Sequence, residues 1–553
     1  MARSVWIAVA AALAVSAPSA QAGVVQSCNP SSPSCFGNVF GQRSTMTPTA
    51  PLLLENDPHD QALLAQVRPA AWKNPLPANR YDLVVVGAGT AGLVSALGAA
   101  GLGARVAMVE RAFLGGDCLN HGCVPSKGVI RASRAIYDAR EAGEFGVVAG
   151  PGGPASIDFA AAMARMRRLR AGIAHNDSAA RAASLGVDVF LGAGRFMGPA
   201  SLDVAGATLR FKRAVIATGA RAAAPPIPGL EEAGYRTNET IFTLTTLPRR
   251  LAVLGAGPIG CELAQAFRRL GAEVTIVADG PRVLPREDPD ASAVLQRQFE
   301  KEGVRLALGG KLLRVERRGT ERFLVVERGG LTEEVACDEL LVAIGRAPNV
   351  EGLGLEAAGV AFDRSGVTVD ARLRTTNRQI YAAGDVCSAF KFTHAADAMA
   401  RMVLRNAFFF GRGRADGLVI PWATYTDPEV AHVGMSSALA AAKGAAVRTL
   451  TVPFAEVDRA ILDGEPEGFA RIHVDAKSGR LLGATVVARH AGEMIGESTL
   501  ALGQRLSAAA LSATIHPYPT QAEAWRKLGD AWQRTRLTPR AKRLLAWIIR
   551  WRS

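Results

Sequence analysis

Cys118 and Cys123 are separated by four residues in Gly115-Gly116-Asp117-Cys118-Leu119-Asn120-His121-Gly122-Cys123-Val124-Pro125-Ser126-Lys127. At the start of a helix this spacing lets both sulfurs face one side, close enough to bridge. Glycines at 115, 116 and 122 let the backbone crowd against a flat ligand. A helix beginning here would stabilise a thiolate at its N-terminal end, and Lys127 adds positive charge. Two other readings stand beside this one: a pair of metal ligands, or two buried structural cysteines. A metal site would need further Cys or His partners at suitable spacing, and none stands nearby, so no metal ligand is assigned. Cys261, Cys337 and Cys387 are scattered and read as small buried residues.

The elements that must position such a centre are legible on either side. A strand, Tyr81 to Val86, runs into Gly87-Ala88-Gly89-Thr90-Ala91-Gly92, then an Ala/Leu-rich helix to Leu102 and a second strand, Arg105 to Val109, ending at Glu110. This is a β-turn-α-β unit with G-x-G-x-x-G in the position that cradles a dinucleotide. Gly87 allows the tight turn, Gly89 lets the backbone approach a pyrophosphate, and Gly92 lets helix and strand pack closely. The helix N-terminus supplies N–H groups and partial positive charge for phosphates, and Glu110 stands where a ribose hydroxyl would be held. The unit recurs 168 residues on without a gap, with Gly255, Gly257 and Gly260 in the glycine positions. Two complete units predict two dinucleotide sites. In the second, Ala278 replaces Glu110; Asp279, one residue later, would serve NAD, whereas Arg282 and Arg286 would serve NADP.

Three further turns, Ala217-Thr218-Gly219, Ala343-Ile344-Gly345-Arg346 and Ala382-Ala383-Gly384-Asp385, follow apolar strand-like runs. From Pro421 the texture changes. Strands are expected near 469–474 and 481–488 and helices near 493–505 and 520–532, which reads as a separate α+β domain.

The motif G-G-x-C-x-N-x-G-C-x-P-S-K resembles the redox motif of the pyridine nucleotide-disulfide oxidoreductases, the family of dihydrolipoamide dehydrogenase, glutathione reductase and mercuric reductase. The likeness runs from about Tyr81 to Glu523. It implies an α/β fold of two doubly wound, Rossmann-like dinucleotide-binding domains plus a C-terminal α+β dimerisation domain. It divides the chain into an FAD-binding domain in two parts, 80–225 and 340–420, an NAD(P)-binding domain, 226–339, and a dimerisation domain, 421–523. It implies FAD and NAD(P)H as cofactors, a homodimer, and a redox-active disulfide between Cys118 and Cys123, with Cys123 nearer the flavin. Thr218-Gly219 and Gly345-Arg346 would line the cofactors. Gly384-Asp385 resembles the second FAD motif, with Asp385 on the ribitol chain. Phe392-Thr393-His394-Ala395 resembles the segment that brings a helix N-terminus to the flavin, with Ala395 at the contact. Glu262 would pair with Lys127.

The chain departs from the family where dihydrolipoamide dehydrogenases and glutathione reductases end in H-x-H-P-T-x-x-E. Here the stretch reads Ile515-His516-Pro517-Tyr518-Pro519-Thr520-Gln521-Ala522-Glu523. Tyr518 occupies the acid/base position, and a phenol of reference pKa about 10 is a poor base at neutral pH. Tyr518 could instead hydrogen-bond or ligate a soft metal ion, or pack at a subunit interface. Mercuric reductases also carry Tyr here, but they use a C-terminal cysteine pair, and this chain has no Cys after Cys387. The expectation is an NAD(P)H-dependent flavoprotein passing electrons to a small-molecule disulfide or metal-ion acceptor. The alternatives are a dihydrolipoamide dehydrogenase of a 2-oxoacid complex and a membrane-associated redox sensor without turnover.

Of the net charge of +14, nine Lys/Arg against one Asp from Ala524 onward account for +8. No basic-aromatic interleaving of the nucleic-acid-binding kind is present. Residues 524–553 read as a basic amphipathic tail whose Leu544, Trp547, Ile548 and Trp551 share one helix face, which suits an anionic membrane surface or a docked helix. At the other end, Arg3, the apolar run Val5 to Val15 and Ala20-Gln21-Ala22 resemble an export signal over residues 1–22; the competing reading is an upstream start, with Met46 as the true one. Residues 23–79, which include Cys28 and Cys35, read as a surface arm. A chain re-reduced by NAD(P)H is expected in the cytoplasm, free or membrane-associated, and export is the alternative if the signal is real.

Overall fold

The computed structural model describes residues 52–148, 150, 153 and 155–552. The signal-like segment, Met46, Cys28 and Cys35 lie outside the described residues. The chain forms two units: one from the residues up to Arg249 with Val315–Arg322 and Asp338–Leu418, the other from Arg250–Arg314, Phe323–Cys337 and Val419 onward.

In the first unit the apolar strand Tyr81–Val86 is almost wholly buried, as a central parallel strand must be. It pairs in parallel with Val106–Glu110 on one side and with Ala207–Ile216 on the other. Val187–Leu191 extends the sheet beyond Val106–Glu110, and Ile380–Ala382 joins beside Ala214–Ile216. An antiparallel extension, Gly194–Gly198 and Ser201–Val204, continues from Ala207. The helices Thr90–Gly101 and Thr393–Phe408 pack closely enough that a Cβ on Gly98 would meet Leu404 Cδ1 at 2.5 Å.

The described part of the expected surface arm is not all surface. Asp57 caps a helix, Pro58–Val67, by accepting from the His59 and Asp60 N–H groups, with Pro58 at its first position. Leu63 and Val67 are fully buried, and Asp60 meets Arg170 at 2.5 Å with both side chains 1% exposed. An Asp-Pro start and apolar residues one turn apart (Leu63, Val67) build a packed helix in a stretch whose Pro and Ala content suggests a loose one.

The second unit repeats the parallel pattern with Arg250–Leu254, Glu273–Ala278 and Arg305–Leu308. After Val419 comes an antiparallel sheet in the order Trp422–Thr424, Glu429–Gly434, Leu481–Ala488, Phe469–Asp475, Val447–Pro453. The helices Ala491–Gly503 and Glu523–Arg536 cover it. Ala524, Trp525, Leu528 and Trp532 are buried in this core, so residues 524–536 belong to the domain rather than to the tail. The apolar stripe at i, i+1, i+4 and i+8 outweighs the basic composition that suggested otherwise. Pro539–Arg552 is helical with no buried residue.

Candidate active site

The two glycine units build the same local geometry. Gly87 and Gly255 adopt φ of +103° and +112°, open to glycine at little cost. A Cβ on Gly92 would lie 1.8 Å from Gly87 O, and one on Gly260 would lie 2.1 Å from Gly255 O. Gly89 and Gly257 precede the helices Thr90–Gly101 and Pro258–Leu270 in extended conformation.

The cysteine segment folds against the first of these turns. Gly115 and Gly116 take φ of +85° and +58°, and a Cβ on Gly116 would stand 2.6 Å from Gly89 Cα. Cys118 lies in a short helix, Gly116–Asn120, and Cys123 is the first residue of the long helix Cys123–Glu141. Both thiols are free; Cys118 is half-buried and Cys123 exposed. Cys123 Sγ stands 3.4 Å from Thr393 Oγ1, at the first residue of Thr393–Phe408. The Cys123 thiol is lowered to about 6: the hydrogen bond from Cys118 stabilises its thiolate, against burial, and the Thr393 hydroxyl and the Lys127 charge add to the effect. Cys118 is pushed up, first by that same hydrogen bond and then by burial. The pair is therefore differentiated, one sulfur favoured as thiolate and the other as thiol. His121, between them in sequence, is lowered by burial to about 4 and is neutral at physiological pH.

Three helix N-termini gather around this segment. Gly384, φ +83°, brings Asp385 to them: a Cβ there would contact Ala91 and Ala396, each at 3.3 Å. Ala395 is buried one residue before that contact. Asp385 Oδ2 lies 3.5 Å from Arg346 Nε, and Arg346 Nη1 lies 3.2 Å from Asp117 Oδ2. Arg346 Nη2 also donates to Ala220 O at 2.7 Å. Burial works against the Arg346 charge, but Asp117 and Asp385 outweigh it and its pKa is raised; burial pushes Asp385 up. Asn238 Nδ2 completes the cluster, donating to Asp117 Oδ1 at 3.2 Å. Asp117 and Asn238 have no local sequence signal, since their partners lie more than a hundred residues away.

The remaining residues of this unit are engaged locally. Glu110 is buried and its two oxygens accept from the Ala88 and Ala112 N–H groups, each at 2.7 Å; burial raises its pKa. Thr218 Oγ1 donates to Asn349 O at 2.7 Å, and Asn349 Nδ2 donates back to Thr218 O. Gly219 and Gly345 take positive φ, +67° and +144°.

In the second unit Glu262 is buried in Pro258–Leu270 and accepts the Tyr425 N–H at 2.9 Å. Asp279 is exposed directly after the strand Glu273–Ala278. Arg282 is turned onto Pro285 O. His516 Nε2 faces Glu497 at 3.0 Å rather than Glu523, and Glu523 pairs with Arg526. Tyr518 is 71% exposed and donates to Asp458 Oδ2 at 2.9 Å, a hydrogen bond that raises its pKa further. The three residues of the expected acid/base stretch thus have three separate partners within one chain.

Residues 81–400 match the family model described as pyridine nucleotide-disulphide oxidoreductase, and residues 420–528 match the dimerisation domain of that family. The mercuric reductase of Lysinibacillus sphaericus is 35% identical over 446 residues, 80% of this chain and 81% of that protein. The dihydrolipoyl dehydrogenase of Thermus scotoductus is 35% identical over 464 residues, 82% of this chain and 97% of that protein. Among solved structures, the HOCl-induced flavoprotein disulfide reductase RclA from Escherichia coli superposes with a TM-score of 0.73 at 29% identity, covering 81% of this chain and 99% of that one. Its Cu(II) complex gives the same values.

Proposed function

Because the chain belongs to the pyridine nucleotide-disulphide oxidoreductase family, whose members are FAD-dependent and use NAD(P)H, we propose that this flavoenzyme delivers electrons through Cys118 and Cys123 to a disulfide or soft metal-ion acceptor. The observation that carries the reading is the differentiated thiol pair, with Cys123 at a helix N-terminus 3.4 Å from the Thr393 hydroxyl.

The residues of the first unit fit a flat dinucleotide. Gly89 and Gly116 leave a side-chain-free surface between two turns, and three helix N-termini offer N–H donors beside it. Gly87, Gly89, Gly92, Glu110, Thr218, Gly219, Gly384, Asp385 and Ala395 would hold FAD, with Arg346 fixing Asp385. Gly255, Gly257, Gly260 and Asp279 would serve the nicotinamide cofactor. FAD, when bound, supplies the carrier that converts a hydride into the electron pair needed to open a disulfide.

Opening the disulfide takes two electrons and leaves one thiolate and, after one proton is taken up, one thiol. Cys123 is the sulfur whose surroundings favour the anion, and Cys118 is the one that keeps the proton. Once deprotonated, Cys118 is the nucleophile toward a disulfide, or the two sulfurs together bind a soft cation. Tyr518 is too weak a base to take the Cys118 proton near neutral pH. That favours acceptors needing little acid/base help, of which a thiophilic metal ion is the simplest. His516 and Glu523 then act in holding the C-terminal domain, which we read as the homodimer interface.

The test is anaerobic titration with NADH and with NADPH, counting thiols before and after, followed by Hg(II), Cu(II), lipoamide and glutathione disulfide as acceptors. The expected result is two new thiols per chain and metal-ion reduction that Cys118→Ser and Cys123→Ser abolish. Acceptor turnover that survives both substitutions would overturn the reading.

A further inference from the structure

The C-terminal helix Pro539–Arg552 has no role in the chemistry above. None of its residues is buried, although its apolar content is high: Trp547 is 62% exposed, Ile549 66% and Trp551 76%, with Leu544 and Leu545 also exposed. Such a face on a helix attached to a well-packed domain needs an occupant. We propose that this helix docks the protein on an anionic membrane surface.

At 3.6 residues per turn, Trp547, Trp551, Leu544, Ile548, Leu545 and Ile549 fall within an arc of about 200°, and Lys542, Arg550 and Arg543 fill the remainder. Arg540 and Arg552 sit at the two ends, where long side chains reach outward while their stems lie against apolar surface. The helix carries five basic residues and no acidic one. Trp547 and Trp551 stack with ring centroids 6.5 Å apart and planes 10° apart, forming a single aromatic wedge on the apolar arc. This combination suits the headgroup boundary of a bilayer: tryptophan and leucine below, lysine and arginine beside phosphate. With 14 residues the helix is about 21 Å long, too short to cross the hydrocarbon core. No helix among the described residues is long and apolar enough to span a membrane, so the contact is one of lying on the surface.

Charge disfavours the same helix of a second copy as the occupant. Pairing two such helices face to face would bring five positive charges against five with no acidic partner in either helix. An anionic bilayer supplies the opposite charge, at about fivefold in affinity per basic residue near the surface.

The test is co-sedimentation of the full-length protein with vesicles of phosphatidylcholine alone and with vesicles in which about a third of the lipid is phosphatidylserine. Binding is expected to the anionic vesicles only and to fall steeply at about 1 M salt, where the screening length is about 3 Å. Replacing Lys542, Arg543 and Arg550 together by Gln should weaken it on the order of 100-fold. Trp547→Ala with Trp551→Ala should weaken it at least about tenfold, with melting temperature and elution volume unchanged. Equal binding to both vesicle types, or binding that neither variant alters, would overturn the proposal. So would a change in oligomeric state in the tryptophan variant, since it would mean that another copy covers the face.

Discussion

Thr393→Val is the sharpest probe of how the thiol pair is set. The substitution keeps the shape of the side chain and removes one O–H, 3.4 Å from Cys123 Sγ. The Cys123 thiol is lowered to about 6 from an ordinary 9.0, with the hydrogen bond from Cys118 as the largest cause. A hydrogen bond to a charged acceptor contributes about 1.5–3 kcal/mol at good geometry, and a long contact to sulfur about 1 kcal/mol. Removing it should raise the Cys123 pKa by about 0.7 unit, leaving the Cys118 hydrogen bond, the Lys127 charge and the helix N-terminus to hold the rest. The measurement is the pH dependence of iodoacetamide alkylation at Cys123 in the fully reduced protein under argon, assigned by fragmentation of the peptide that carries both cysteines. The wild-type half-point should lie near 6 and the variant half-point above it by that amount. Lys127→Gln should also raise the half-point, but its effect should shrink with added salt, whereas that of Thr393→Val should not. A wild-type half-point near 9.0, or profiles that coincide, would refute the account of how these residues act on the sulfur.

Three further outcomes follow from packing and charge. Burial raises Glu287 from 4.5 to about 7 while it accepts the Trp422 Nε1–H at 2.7 Å. The folded state therefore holds that proton more tightly than the unfolded one. Stability is fully present below 4.5, falls as pH rises toward 7, and stays reduced above. Glu287→Gln, which keeps the acceptor, should raise the unfolding free energy from urea melts at pH about 8, by up to about 3 kcal/mol, and leave it unchanged at pH about 4; no gain at the higher pH would contradict the assignment. Asp60→Ala leaves Arg170 charged and buried, so a loss of about 3–5 kcal/mol is expected in denaturant melts, much of it recovered in the double variant with Arg170→Met. Gly92→Ala places a Cβ 1.8 Å from a backbone oxygen and should yield insoluble or colourless protein. Gly98→Ala, which meets only the tip of Leu404, should purify yellow.

The features legible in the sequence are those whose cause is local. The glycine turns are written in a few consecutive residues, because steric exclusion acts between near neighbours, and Gly87, Gly92, Gly255 and Gly260 behave accordingly. The strands 469–475 and 481–488 follow from apolar runs bounded by turns. The cluster around the thiols was not legible: Asp117 meets Arg346 and Asn238 only because the sheet brings the strand ends together. Two misreadings came from weighting composition over periodicity. Asp57-Pro58 is a helix start that the Pro and Ala content of the arm obscured. Trp525, Leu528 and Trp532 mark a core-facing stripe within a stretch that is basic on average.

The internal repeat raises the question of why one copy, and not the other, carries the thiols. Both turns have the same glycine geometry, so the turn itself cannot decide. The difference lies in what reaches the middle glycine. At Gly89 the nearest atom to an added Cβ is Gly116 Cα, at 3.6 Å, so the cysteine segment lies directly across the turn. At Gly257 no atom of the described residues lies within 4 Å of an added Cβ, so no such segment crosses that turn. That approach requires left-handed glycines at 115 and 116, because any side chain at 116 would meet the backbone of Gly89. The thiols are therefore tied to the first unit by Gly115-Gly116 rather than by the cysteines themselves. Gly116→Ala should separate the segment from the turn while leaving both sulfurs in the chain. A variant that still gave two new thiols with NADH or NADPH at the wild-type rate would show that this backbone contact is not what couples them.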